Sequence, residues 1–296
     1  MTIYAQQSWL PRGMFVTQAR SSKTIIITGG TDGIGRALAD RYLALGDTVV
    51  VIGRSAAKGR NILDMAEPLP GTAHFIQADL ASTTESERVA EQILARFPVV
   101  DALVFCARYY RSVRATSPEG LEENFSLFYL SRYILGYRLV PALKRSRDPI
   151  VINVAGPGAP LDLIQWDNLQ LTEKYNGNTA LGQGGKLNDL LAVSFVADPA
   201  TAGIRYLLVH PGVTATSFSG DYAPSIVPHI EAMKQGGKSI TESAAPIITN
   251  IDDALFTGLR ALVEGQDIDV SGRNFDGDAA ARLHAVTNEF LNYHTR

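Results

Sequence analysis

Six short apolar runs, rich in β-branched residues, alternate along the chain with longer amphipathic segments. Runs that are apolar on both faces are typical of a parallel sheet with helices packed on each side. The segments between them are long enough for right-handed crossover helices. The pattern therefore predicts an α/β fold. The predicted strands are residues 24–28, 48–52, 73–77, 102–105, 150–154 and 204–209.

Helix signals occur in the intervening segments. Residues 36–45 have a helical pattern, and Ser82 with Glu85 forms a capping-box pattern before a helix over 83–96. A long helix is predicted over 118–144, with Pro118 in its first turn and Pro141 near its end. Residues 156–184 and 213–248 are rich in Gly and other turn residues, and both follow predicted strands, where open α/β sheets bind ligands.

A glycine-rich segment, Thr28-Gly29-Gly30-Thr31-Asp32-Gly33-Ile34-Gly35, joins the first strand to the first helix. Glycines at such a turn let the backbone approach a pyrophosphate closely, and the helix N-terminus supplies N–H groups and a positive dipole end. Because the motif sits between a strand and a helix, it predicts a dinucleotide site. The predicted contacts are Gly29, Thr31, Asp32, Gly33, Ile34 and Gly35.

Arg54 follows the second strand, at the position where NAD-binding proteins usually carry Asp or Glu for the ribose hydroxyls. A cation there suits a 2′-phosphate, so Arg54 favours NADP(H) over NAD(H). The alternative is an ordinary solvated arginine.

Charge and composition exclude several classes of function. The formal net charge is -3 without a long basic run, which argues against a nucleic-acid partner. Cys106 is the single cysteine, so no internal disulfide can form, and no metal site is expected. No stretch approaches the roughly 20 apolar residues of a membrane span. We expect residues 1–22 to be an N-terminal arm rather than a signal peptide, and the protein to be cytoplasmic.

Several motifs together resemble the short-chain dehydrogenase/reductase family. They are the glycine pattern, Asp79-Leu80 after the third strand and Pro211-Gly212-Val213-Thr214 after the sixth. Four further segments are similar to retinol-dehydrogenase-like members: Glu119-Gly120-Leu121-Glu122, Leu130-Ser131-Arg132, Asp167-Asn168-Leu169 and Lys174-Tyr175-Asn176-Gly177.

The likeness covers roughly residues 22–275, and it implies a Rossmann fold with a doubly wound, mostly parallel seven-stranded sheet and helices on both faces. A single domain is then expected over 23–296, with 213–248 as a substrate lid. The resemblance places Asp79 and Leu80 near the adenine, and Pro211, Gly212 and Thr214 near the nicotinamide. It also implies a homodimer or homotetramer built through helices 118–144 and 186–197.

The family's Asn-Ser-Tyr-Lys catalytic tetrad is largely missing. Lys186 fits the lysine, which would bind the nicotinamide ribose, unless it is a solvated helix residue. The tyrosine position is Gly182, or Leu181 if one neighbouring glycine is inserted. Gly156 stands at the serine position and Phe128 at the asparagine position, with Asn124 one turn earlier. Cys106-Ala107-Arg108 replaces the family's Asn-Ala-Gly, so Cys106 would contact the cofactor and the Arg108 side chain would enter the cleft.

Other polar residues could reach the same cleft and replace the lost groups. With Lys186, the candidate catalytic residues are Arg108, Tyr109, Tyr110 and Tyr175, because a Tyr or Arg there could polarise a carbonyl or stabilise an enolate. The alternative is that they shape a pocket wall. His210 is expected to be structural, and Tyr222 and Trp166 to help cover an apolar substrate. Asn153, Gln183, Asn188 and Asp189 flank the vacated positions.

Three functions remain open. The first is a repurposed cyclase, isomerase or lyase that orients a hydrophobic, oxygenated small molecule of secondary metabolism. The second is an NADPH-dependent reductase of an iminium, alkene or carbonyl. The third is a non-catalytic NADP(H)-binding subunit.

Overall fold

The computed structural model describes residues 21–253 and 256–294. Apart from its last two residues, the predicted N-terminal arm lies outside the described residues. Ten strands form one sheet of eight strands and one of two. They are β1 (Thr24–Thr28), β2 (Thr48–Gly53), β3 (Thr72–Gln77), β4 (Ala102–Phe105), β5 (Tyr110–Arg111), β6 (Ile150–Val154), β7 (Arg205–His210), β8 (Gly220–Asp221), β9 (Leu259–Val263) and β10 (Gln266–Asp267).

The large sheet has the order β10-β9-β7-β6-β4-β1-β2-β3. All its pairings are parallel except that of β10 with β9. The α/β prediction is confirmed, but the sheet has eight strands rather than seven. The additional strand arises because Glu264 and Gly265, with φ of 51° and 84°, reverse the chain in a two-residue hairpin.

Helices cover both faces of this sheet. Ile25 and Ile27 of β1 pack in one core cluster with Leu38 and Ile247, whereas Ile26 belongs to the cluster on the opposite face. This alternation follows from the two-residue period of strand side chains. The helices are α1 (Gly33–Ala44), α2 (Ala56–Ala66), α3 (Thr83–Arg96), α4 (Glu123–Phe125), α5 (Ser131–Arg138), α6 (Val140–Leu143), α7 (Gly177–Ala197), α8 (Val227–Gly236), α9 (Ile240–Asp252) and α10 (Gly277–His294).

The helix predicted over 118–144 is shorter and interrupted. Gly120, with φ of 80°, lies in a turn closed by a hydrogen bond to Ser117, so Pro118 does not begin the helix. The Glu122 carboxylate caps α4 by accepting from Asn124 N at 2.9 Å and Phe125 N at 2.6 Å. A π-helical segment, Ser126–Leu130, then joins α4 to α5.

Helix α10 covers the faces that were expected to make contacts between subunits. Tyr129, Leu187 and Leu191 are buried in one cluster with Leu283 of α10, and the Tyr129 and Thr287 hydroxyl oxygens are 2.6 Å apart. The same chain therefore buries these three side chains. The oligomeric state stays a prediction.

Within the described part of the chain, no helix is both long and apolar enough to cross a membrane.

Candidate functional site

A cleft of about 950 Å³ opens at the carboxyl ends of the parallel strands. It lies where β2 and β4 flank β1, so the strand order changes direction there, the usual ligand position in open α/β sheets. Its volume is near the upper end of the roughly 300–1,000 Å³ of small-molecule sites. Every predicted nucleotide contact except Lys186 lines this cleft.

The glycine-rich loop forms its floor. Gly29 has φ of 68°, and a Cβ there would lie 2.8 Å from the Cα and N atoms of Ala107. A Cβ at Gly35 would lie 2.5 Å from the carbonyl oxygen of Gly29. Asp32 caps α1 by accepting a hydrogen bond of 2.8 Å from Gly33 N. The loop and the α1 N-terminus therefore form a cradle of backbone N–H groups that fits a pyrophosphate.

Two ion pairs lie at the β2 and β3 end of the cleft. Lys58 Nζ is 2.6 Å from Asp32 Oδ2, and Arg54 Nη1 is 3.8 Å from Asp79 Oδ2. Partial burial alone would raise the pKa of Asp32, but the hydrogen bonds from Lys58 and Ser217 outweigh it and lower that pKa. Both cations are about half exposed, so an anionic group entering this end can reach them.

Tyr109 stacks between two guanidinium groups. The Cζ atoms of Arg54 and Arg111 each lie 4.7 Å from the centre of its ring. Tyr109 lines the cleft wall at the same end as Arg54. The sequence predicted it as a catalytic residue, but this position makes it part of the wall around the Arg54 guanidinium.

The wall at the other end of the cleft is apolar where the family's tetrad is expected. Phe128, Gly156, Leu181 and Gly182 all line it, so both alternatives for the tyrosine position face the cleft. An added Cβ would come no nearer than 4.0 Å to His210 at Gly156 and 3.8 Å to Leu163 at Gly182. Each of these glycines therefore has room for a Cβ in ordinary van der Waals contact.

Lys186 does not line the cleft, contrary to the position that the sequence analysis predicts for it. Gly185 lines the cleft, and Lys186, the next residue of α7, is rotated from it by about 100° around the helix axis. Lys186 Nζ donates to Asp189 Oδ2 and to the Asn274 carbonyl oxygen, both at 2.7 Å. Burial raises the pKa of Asp189 to about 6, an effect that the Lys186 charge opposes. The pair ties α7 to the segment before α10.

Of the other predicted catalytic residues, only Arg108 joins Tyr109 in the cleft. Tyr110 Oη donates to Asn178 Oδ1 at 3.1 Å, and its ring stacks on Tyr222 at 4.9 Å between centres. Tyr175 Oη donates to the Arg111 carbonyl oxygen at 3.0 Å. Neither Tyr110 nor Tyr175 lines the cleft, contrary to the predicted positions, and their hydroxyl groups hold the surrounding loops.

The segment predicted as a lid contributes Tyr222 to the cleft but is anchored to the loop after β4. Tyr110 pairs with Gly220 in the two-stranded sheet of β5 and β8. Trp166 was expected to help Tyr222 cover a substrate, but it lines a different, smaller cavity. The Cζ atom of Arg282 lies 4.1 Å from the centre of its ring.

A buried polar network behind the wall was missed by the sequence analysis. Arg132 is 1% exposed and donates to Asn153 Oδ1 and, at 3.0 Å each, to the carbonyl oxygens of Val154 and Ala107. Asn153 Nδ2 in turn donates to Asn188 Oδ1 at 2.8 Å. The guanidinium thus joins the ends of β4 and β6 beneath the cleft. The position of Arg132 on an otherwise apolar helix face was the only sequence signal of this buried network.

The remaining polar groups of the wall are poor proton donors at neutral pH or already hydrogen-bonded. Burial raises the pKa of the Cys106 thiol to about 12. Burial, together with the charge of Arg108, lowers the pKa of His210. Thr214 faces the cleft, with its hydroxyl oxygen 2.7 Å from that of Ser243. Gln183 lies outside, donating to the Leu169 carbonyl oxygen at 2.8 Å.

Comparisons with known proteins agree with this fold. Residues 23–163 match the family model described as short chain dehydrogenase. Human polyprenol dehydrogenase is 28% identical over 170 residues, which are 55% of this chain and 52% of that protein. Mouse retinol dehydrogenase 12 is 25% identical over 199 residues, or 67% of this chain and 63% of that protein. The chain therefore matches less than two thirds of the length of these relatives.

Solved structures show the same architecture. A short-chain dehydrogenase from Escherichia coli CFT073, complexed with NADPH, has a TM-score of 0.65 at 18% identity and covers 84% of this chain and 98% of its own. A short-chain dehydrogenase from Streptomyces avermitilis has a TM-score of 0.60 at 22% identity, and the match covers 94% of this chain and 98% of that protein. The chain is therefore similar to short-chain dehydrogenases over residues 23–163, and it shares the fold of their solved structures.

Proposed function

We propose that the cleft binds NADP(H). The observation that carries this proposal is that the glycine loop, Arg54, Asp79 and Thr214 all line one cleft. Arg54 and Lys58 would hold the 2′-phosphate, and the α1 N-terminus would hold the pyrophosphate. The neighbour complexed with NADPH supports this assignment. When bound, the nicotinamide can supply or accept a hydride at the Gly156 end of the cleft.

We further propose that the protein is an enzyme acting on a hydrophobic small molecule without the family's proton relay. Leu181, Gly182 and Gly156 cannot transfer protons, and Lys186 is held in a buried ion pair. A general acid normally contributes about 10²–10⁴-fold to such a reaction. A reaction that depends on holding one reactive conformer, such as a cyclisation, isomerisation or elimination, fits this wall best.

A second candidate is an NADPH-dependent reductase of an iminium or activated alkene. It is favoured by the complete nucleotide half of the cleft, which a purely non-redox enzyme has less reason to keep. Hydride addition to these acceptors does not need an acid at the position of Leu181 or Gly182. The relatives named as dehydrogenases support this candidate and not the non-redox one.

Two measurements on purified protein test these proposals. Calorimetry with NADP⁺ and NAD⁺ should show tighter binding of NADP⁺, and absence of binding of either nucleotide would refute the cofactor assignment. Panels of imines, enones and ketones, followed by NADPH absorbance, then separate the two reaction classes. Consumption of NADPH favours the reductase, whereas substrate conversion without consumption favours the non-redox enzyme. A protein that binds NADP⁺ but converts nothing would support a non-catalytic subunit.

A further inference from the structure

Three cationic side chains line the cleft, and only one of them is without a carboxylate partner. Arg54 faces Asp79, and Lys58 faces Asp32. Among the residues that the structure describes, the guanidinium of Arg108 forms neither a hydrogen bond nor an ion pair. An unpaired cation in a partly desolvated site favours an anionic ligand, because the ligand replaces the interactions with water that the cation loses there.

Arg108 lies near groups from the end of β7 and the segment after it, whereas Arg54 follows β2. It follows β4, and its charge acts on Tyr222 from the segment after β7 and on His210 at the end of β7. The side chain is open to the cleft, yet the surrounding walls desolvate the guanidinium and lower its pKa. The charged and ionisable groups named here therefore lie around two centres, the paired nucleotide end and the unpaired Arg108.

Several large apolar side chains share the cleft with this cation. Phe128, Leu181, Phe218 and Met233 line the same cleft. A ligand that satisfies both features carries one negative group on a hydrophobic body. The missing tetrad leaves Arg108 as the strongest fixed charge available to orient such a ligand.

We propose that Arg108 binds the carboxylate of an acidic, otherwise hydrophobic substrate. This inference rests on the proposed function insofar as the nucleotide occupies the Arg54 end. The bidentate geometry of a guanidinium suits a carboxylate and fixes its orientation. Arg108 is then a specificity-determining residue, and neutral relatives of the substrate bind weakly.

The test uses two fluorescent probes with the same ring system. One is 8-anilinonaphthalene-1-sulfonate, a hydrophobic anion, and the other is the uncharged N-phenyl-1-naphthylamine. Both are titrated into the full chain with saturating NADP⁺, and decanoate is then added to displace the sulfonate. We expect Arg108→Gln to weaken sulfonate binding about tenfold or more and to leave the neutral probe within about twofold. Decanoate should displace the sulfonate from the unaltered protein.

Matched variants separate the possible outcomes. Arg108→Lys keeps the charge and should retain most of the sulfonate affinity, and Arg60→Gln, at an exposed position of α2 that does not line the cleft, should leave it unchanged. Equal sulfonate affinity in Arg108→Gln and the unaltered protein, or no displacement by decanoate, overturns the proposal. So does a loss of NADP⁺ affinity in Arg108→Gln without a loss of sulfonate affinity, which would assign Arg108 to the nucleotide. If NADP⁺ does not bind at all, the proposed function fails, and the same titrations without nucleotide still test Arg108.

Discussion

Lys186 Nζ lies 2.7 Å from Asp189 Oδ2, and both side chains are fully buried one turn apart on α7. The same carboxylate oxygen accepts a hydrogen bond of 3.0 Å from Gly158 N, and the ammonium also donates to the Asn274 carbonyl oxygen. Asp189 Oδ1 has no hydrogen-bond partner among the described residues. The ion pair therefore joins α7 to two loops rather than to a ligand.

Removing one member of this pair should destabilise the protein strongly. Lys186→Met leaves the Asp189 carboxylate buried without its countercharge, which typically costs about 3–5 kcal/mol of unfolding free energy. Urea denaturation measures this loss. The double variant Lys186→Met with Asp189→Asn should recover a large part of the stability, because no uncompensated charge remains.

The double variant also tests the assignment of Lys186. Because Lys186 points away from the cleft, we expect the double variant to bind NADP⁺ within about twofold of the unaltered protein. A tenfold weaker affinity in a stably folded double variant would instead indicate that Lys186 contacts the nucleotide.

The two cations near β2 should determine the preference for the phosphorylated nucleotide. Hydrogen bonds to charged groups contribute about 1.5–3 kcal/mol, so Arg54→Gln should weaken NADP⁺ binding about tenfold or more and leave NAD⁺ binding nearly unchanged. Lys58→Gln should act in the same direction. Calorimetry measures both, with Arg60→Gln, an exposed residue of α2, as the matched control. An equal loss for both nucleotides would contradict a 2′-phosphate contact.

Much of the fold could be predicted because local signals agree with packing. The bounds of β1, β4, β6 and α3 coincide with the predicted ones, since buried β-branched runs and the Ser82 cap are strong local signals. The region before α5 was less predictable. There the cap formed by Glu122 and the turn at Gly120 determine where helix begins, and neither resembles the usual Ser, Thr, Asp or Asn cap.

The candidate site was predictable at the nucleotide end but not at the reacting end. Glycine spacing defines a backbone conformation, so the predicted contacts of the glycine loop all line the cleft. A helix, in contrast, turns each successive residue by about 100°, so Gly185 lines the cleft whereas Lys186 lies in the interior. Tertiary pairing likewise determined where Tyr110 and Tyr175 point, and no local pattern in the sequence encodes that pairing.

Glycines of the cleft should differ sharply in their tolerance of alanine. Gly35→Ala would place a Cβ 2.5 Å from a backbone oxygen, so we expect loss of stability together with loss of NADP⁺ affinity. Gly182→Ala and Gly156→Ala meet no atom nearer than 3.8 Å, so both should fold normally. Thermal unfolding and nucleotide titration compare the three variants. Normal nucleotide affinity in Gly35→Ala would show that the loop does not form the cradle.

The ionisation of His210 should report the charge of Arg108. Burial and then the Arg108 charge lower the pKa of His210 from its ordinary value of 6.5, so the ring is neutral at pH 7. Arg108→Gln should raise this pKa, and Arg108→Lys should leave it low. A lowered histidine pKa means that the unfolded chain binds more protons below pH 6.5, so stability falls as the pH drops through that value. Arg108→Gln should reduce this loss of folding stability at low pH, because the pKa of His210 would lie closer to its value in the unfolded chain. Nitrogen-15 NMR titration of the ring measures the pKa directly, and identical values in the Arg108→Gln variant and the unaltered protein would mean that Arg108 does not face His210.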